Sequence, residues 1–190
     1  MPQPRIETLS EKQLVGKRMK MSFADNKTFE LWQGFMPRQE EIQNRINTNL
    51  YSIEVYTPNF WNNFTPYSKF EKWAALEVTD CNSIPDEMER IHLPFGLYAV
   101  FVHQGPASSA IKTYGYIFSS WLPNSDFTLD NRPHFALMGP KYKNNAPDSE
   151  EEIWIPIRQK HACHQTSASL SKTRSSRAEL AVAVQASSRY

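Results

Sequence analysis

Two carboxylates, Glu54 and Glu77, sit in strand-like stretches among broad aromatic side chains. Tyr56 follows Glu54 by two positions and Trp73 precedes Glu77 by four, so each pair shares one side of an extended strand. Trp154 occupies a similar strand near the end of the folded region, and Phe35 and Phe118 fall on helical stripes. A carboxylate beside aromatic faces attracts an organic cation, and each ring adds about 0.5–2 kcal/mol. The same groups suit a second chemistry, in which Glu54 or Glu77 is a general base and a nearby Tyr a proton donor, as in a hydrolase. No nucleophile elbow, phosphate loop or zinc motif accompanies them. His92, His103 and His134 are isolated. His161, Cys163 and His164 are too tightly spaced to close around one ion without a shaped loop and a further ligand. Binding is therefore expected over catalysis, with no catalytic residue, no metal and no cofactor.

Composition narrows the partners. The chain has 190 residues, 21 Lys plus Arg against 20 Asp plus Glu, a net charge of +1 and 13% aromatic residues. So even a balance gives no long-range attraction to phosphate, so direct nucleic-acid binding is not expected. No apolar run is long enough for a membrane helix, and the start, MPQPRIETLSEKQ, lacks the apolar stretch of a secretory signal. Two cysteines make no disulfide framework. A cytoplasmic location is expected.

Residues 161–190 are different material. They are rich in Ser, contain no Pro or Gly, and set Lys172, Arg174, Arg177 and Arg189 against Glu179 alone. A mostly unstructured tail is expected there, and a single domain over 1–160.

The elements that must position the candidate residues recur twice. Val15–Ser22 reads as a strand, Leu31, Trp32, Phe35 and Met36 as a helical stripe extended past Pro37 to Ile42 and Ile46, and 50–56 and 72–78 as strands. The second round runs through 96–104, a stripe of Ile111, Tyr114, Ile117, Phe118 and Trp121 ended by Pro123 and Asn124, then 133–138 and 152–158. Phe35 aligns with Phe118, Ile53 with Phe135 and Trp73 with Trp154. The expected fold is α+β: a duplicated strand-helix-strand-strand unit, repeats about 15–80 and 96–158, with pseudo-two-fold symmetry. It has antiparallel sheet, helices on one face and a ligand cleft between the halves. Alternation assigns Ile53, Val55, Phe135 and Leu137, with Ala74, Leu76, Val78, Ile153, Ile155 and Ile157, to the face under the helices. Glu54, Tyr56, Trp73, Glu77 and Trp154 fall on the other, which is expected to line the cleft. The loop 57–67 carries Phe60, Trp61 and Phe64 and reads as a lid or as a protein-binding surface. The acidic run Ser149–Glu152 reads as a solvated turn.

The segments LPFGLYAVFVHQGP, YIFSSWLPNSDFTLDNRPHF and EEIWIPIR resemble the GyrI-like effector-binding family, the ligand-binding module of AraC-type and BmrR-type regulators. FEKWAALEV (70–78) resembles its stand-alone subgroup, which includes integron cassette proteins. The resemblance covers roughly residues 10–158. It implies the duplicated fold and a cleft for bulky hydrophobic, often cationic, aromatic compounds, with a role in transcription regulation or drug sequestration. It also leaves open hydrolase activity and a gyrase-inhibitor-like protein partner. The family usually carries Glu in a P-x-F-E pattern, whereas here Pro133, His134 and Phe135 precede Ala136. Glu54, in the matching slot of the other half, and Glu77 are the candidates to replace that charge. No helix-turn-helix segment is expected ahead of the domain, so regulation would need a separate DNA-binding partner. The tail has no counterpart in the family.

Overall fold

The structure, a computed structural model, describes residues 3–160. The tail expected to be unstructured, with His161, Cys163 and His164, lies outside the described residues.

The strands are β1 (Arg5–Leu9), β2 (Lys12–Met21), β3 (Arg45–Val55), β4 (Phe70–Val78), β5 (Glu89–Leu93), β6 (Gly96–Gln104), β7 (Phe127–Leu129), β8 (His134–Met138) and β9 (Glu150–Gln159). Helix α1 (Thr28–Phe35) follows β2 and helix α2 (Ala110–Tyr116) follows β6. All pairings are antiparallel, in the order β1-β6-β9-β8-β3-β4-β2-β5, with β7 added on β9. The order reads the same from both ends once the halves are exchanged. β3 corresponds to β8, β4 to β9, β2 to β6 and β5 to β1. The axis passes between β3 and β8, where Ile53 and Phe135 are direct Cα partners. Each half also lends a strand to the other, since β1 pairs with β6 and β5 with β2. The two short edge strands are additions to the sequence-based pattern. The sheet curls into a half-barrel.

Local sequence explains the helix ends. Asn26 Oδ1 accepts the Thr28 N–H at 2.9 Å just before α1, an Asx turn that serves an otherwise unpaired helix donor. Pro37 cannot donate within a helix interior, and it sits in the first turn of a 3-10 segment, Met36–Glu41, that continues α1. The expected helical extension to Ile46 stops there: Ile42 is extended and buried, and Ile46 already belongs to β3. In the second half the helix passes into a π-helical segment, Ile117–Trp121, before ending at Asn124. The wider turn places both Ile117 and Phe118 in the core.

Three cores follow. One lies under α1 and includes Phe35, Met21, Leu31, Ala74 and Leu76. Its counterpart under α2 includes Phe118, Ala99, Ile117, Ile153 and Ile155. The third, on the helix-free face, draws residues from all eight strands of the main order. Its centre is the row Trp73, Ile53, Phe135 and Trp154, paired strand by strand. Phe135 and Trp154 stack at 5.2 Å with 15° between planes. Each such buried aromatic contributes about 1.5–3 kcal/mol of burial free energy, which ties the halves together.

This row corrects the expected faces of β3 and β8. Ile53 and Phe135 point away from the helices, and Ser52, Glu54, His134, Ala136 and Met138 lie on the helix side. Both sides of these two central strands are covered, so neither side had to be aliphatic. No helix of the described residues is long and apolar enough to cross a membrane.

Candidate functional site

The seam between the two helix-side cores is where a buried ion pair, Glu54 with Lys72, enters the centre of the sheet. Its rows follow from strand register. Glu54 pairs with Lys72 on β4 and with His134 on β8. The next helix-side row, Ala74, Ser52, Ala136 and Ile153, has three small members and so a shallow floor. One further step along β9 on the same face stands Glu151.

Glu54 is buried and already occupied. Lys72 Nζ donates to its Oε1 at 2.6 Å, and the Tyr56 hydroxyl donates to its Oε2 at 2.5 Å. Burial alone would raise the Glu54 pKa, but the Lys72 charge and the two hydrogen bonds outweigh it and hold the carboxyl below its ordinary range. Burial and the adjacent Glu54 charge push the Tyr56 hydroxyl far up, so it stays a donor. Burial drives His134 down to about 4, against a partial opposing pull from Glu54. The imidazole is therefore neutral, with Tyr56 edge-on to it at 5.1 Å and Phe118 stacked at 6.3 Å. A carboxylate whose two oxygens already accept hydrogen bonds is a poor general base.

The loop after β3 roofs one end of this seam. Phe60 and Trp61 each lie 4.7 Å from Tyr56, and Trp61 packs against the cores of both halves. Beneath the loop opens a cleft of about 310 Å³, lined by Tyr56, Phe60, Trp61, Asp130, Arg132 and His134 among others. Arg132 is fixed by Asp130, by the carbonyls of Leu97 and Ile157 and by the Tyr98 ring at 4.6 Å. Its guanidinium lies where a side chain on Gly96 would have to go, at φ +154°, so only glycine suits that position.

The structure brings Glu54, Tyr56 and Phe118 to this seam and sends the other expected residues elsewhere. Phe35 is wholly buried under α1. Trp73 and Trp154 are core residues of the helix-free face, and Glu77 lies on that face as well. There Lys12 Nζ and the Tyr51 hydroxyl bind Glu77 at 2.6 and 2.7 Å. Strand register, which alternation alone does not reveal, separates the two sets. The expected solvated turn at Ser149–Glu152 is instead largely strand, with Ser149 and Glu151 buried. Glu151 has the same parity as Ile153, Ile155 and Ile157, a signal present in the sequence. His134, Lys72 and Trp61 are further members of the seam, legible only once Glu54 is placed beside them.

Comparison with known proteins agrees with this architecture. Residues 2–158 match the GyrI-like small molecule binding domain. The chain is 27% identical over 130 residues to the transcriptional regulator BrlR of Pseudomonas aeruginosa, covering 67% of this chain and 45% of the regulator, so it spans less than half of that relative. Among solved structures it is similar to SAV2435 bound to tetraphenylphosphonium, with a TM-score of 0.62, 17% identity, and coverage of 83% of this chain and 94% of that one. It is also similar to an integron cassette protein of Vibrio cholerae, with a TM-score of 0.60, 14% identity, and coverage of 82% and 96%. At these identities the structural matches establish the shared fold.

Proposed function

This chain belongs to the GyrI-like small molecule binding domain family, and from that premise we propose that it is a binding module for a bulky hydrophobic, aromatic and cationic compound, seated in the helix-side seam. The observation that carries this reading is the clustering of Phe60 and Trp61 on Tyr56, and of Phe118 on His134, beside the buried carboxylate Glu54 at the junction of the two helix-side cores. Aromatic walls with a few convergent polar groups are the usual make-up of a small-molecule pocket. The tetraphenylphosphonium bound to SAV2435 and the regulatory role of BrlR support it by likeness of fold and sequence. We place the protein in the cytoplasm, where it sequesters such a compound or reports it to a separate DNA-binding partner.

Isothermal titration with tetraphenylphosphonium and with neutral triphenylphosphine oxide tests this. Saturable one-to-one binding, weakened at least 10-fold by Ala136→Leu with the melting temperature retained, is expected. The added side chain fills the floor beside Ser52. No heat of binding from either probe contradicts the reading.

A further inference from the structure

The cleft beneath the 57–67 loop has a second end, where the connection between β7 and β8 meets the end of β9. The lining there adds Arg158 to Asp130 and Arg132, in the same cleft as Tyr56, Trp61 and His134. The charges of this end do not balance. Asp130 is spent on Arg132, whose Nε donates to its Oδ2 at 2.6 Å. Arg132 Nη2 is spent in turn on the carbonyls of Leu97 and Ile157, at 2.7 and 3.1 Å. Burial raises the Asp130 pKa, but hydrogen bonds from Arg132 and from the Asn131 N–H, with the charges of Arg132 and Arg158, outweigh it and hold the carboxyl below its ordinary range. His134, with its pKa driven down by burial, is neutral. One carboxylate therefore faces two guanidinium groups in the lining of the cleft.

Arg158 is the unspent one. It is exposed, and its Nε donates to Thr128 Oγ1 at 3.3 Å across the β7–β9 pair. Its two terminal nitrogens make no hydrogen bond or ion pair among the described residues. A planar fork of donors is thus left at the edge of a cleft with aromatic walls. Such a fork matches the two oxygens of a carboxylate. We propose that this end of the cleft is a carboxylate subsite anchored by Arg158, and that the preferred ligand is a zwitterion, a cationic aromatic body that carries an acid group. The inference rests on the binding reading above and adds the acid group to it. The body lies against Tyr56, Phe60 and Trp61, whose ring faces attract a delocalised cation. The carboxylate lies on the Arg158 fork, with the Asn131 amide in the same lining as a further donor. A ligand of the same shape without the acid leaves that fork unpaired.

Rhodamine 110 and its methyl ester, rhodamine 123, test this. They share one cationic xanthene and differ in whether the phenyl substituent ends in a carboxylate or an ester. The fluorescence anisotropy of each dye is followed as the full chain is titrated in near neutral pH. The acid should bind about 10-fold more tightly than the ester, the size of one hydrogen bond between charged groups. Arg158→Gln should erase that preference without weakening the ester. The variant removes an exposed side chain and one long hydrogen bond, so it should melt with the wild type. The wild-type preference needs no variant. Equal affinities in wild type, or a preference for the ester, overturn the carboxylate subsite and leave the binding reading intact. A preference that survives in folded Arg158→Gln overturns the role of Arg158. Failure of both dyes to bind overturns the binding reading and this inference together.

Discussion

The two halves of the molecule agree on the helix-free face and part company under the helices. Around the axis, Ile53 and Trp73 of one half match Phe135 and Trp154 of the other, and all four are buried in one shared core. On the opposite side of the same strands, Glu54 and Lys72 stand where the second half has Ala136 and Ile153, and Phe70 stands where it has Glu151. The first half holds a self-neutralised ion pair and an aromatic, and the second an aliphatic pair and a lone carboxyl. A duplicated scaffold can keep its symmetric core for stability and differentiate the other face for recognition. The asymmetry puts a buried carboxyl with no ion-pair partner in one half only, at Glu151.

The sharpest way to break this comparison is to unbalance the pair. Lys72→Met leaves Glu54 buried beside an apolar neighbour and should cost about 3–5 kcal/mol in urea denaturation at pH 7. Converting the pair to its counterpart, Glu54→Ala with Lys72→Ile, should recover most of that loss. Equal damage in single and double variants would mean that the pair is not a removable unit.

Glu151 gives the next largest effect. A carboxyl whose folded pKa is raised binds its proton more tightly in the native state, so stability falls as pH rises from the ordinary carboxylate range through about 7. Glu151→Gln should therefore be more stable than wild type at pH 8 by up to about 3 kcal/mol, with the difference vanishing near pH 4. Thermal melts across that range measure it. His134 has the opposite slope. Its folded pKa is depressed to about 4, so the native state loses stability as pH falls from about 6.5 toward 4, and His134→Gln should lessen that acid sensitivity.

The smallest effect compares the symmetric tryptophans. The Trp154 indole N–H donates to Glu152 at 3.0 Å, whereas the Trp73 indole N–H is buried without a partner. Trp154→Phe should cost about 1 kcal/mol more than Trp73→Phe, the worth of one ordinary, part-exposed hydrogen bond. Equal costs would show that packing alone distinguishes neither.

The duplication was legible in the sequence because aromatic and β-branched residues recur at matching positions, and the aligned pair Ile53 and Phe135 marks the axis itself. The faces of β3 and β8 were not legible. Strands covered on both sides carry apolar groups on both, so alternation loses its meaning around Tyr51–Tyr56. Cross-strand register decides which residues share the seam, and it depends on long-range pairing that no local pattern encodes. Hence the sequence points to Glu54 but not to Lys72, and alternation groups Trp73 with Tyr56 although the sheet lies between them. Glu151 was hidden by its two acidic neighbours, which lend a buried strand position the look of a solvated turn.

Which face binds is settled most directly by tryptophan fluorescence during titration with tetraphenylphosphonium, on wild type, Trp61→Phe, Trp73→Phe and Trp154→Phe. A helix-side site predicts that the ligand-induced change disappears with Trp61 and persists without Trp73 or Trp154. A signal that survives the loss of Trp61 and vanishes with Trp73 or Trp154 would place the ligand on the helix-free face and contradict the account.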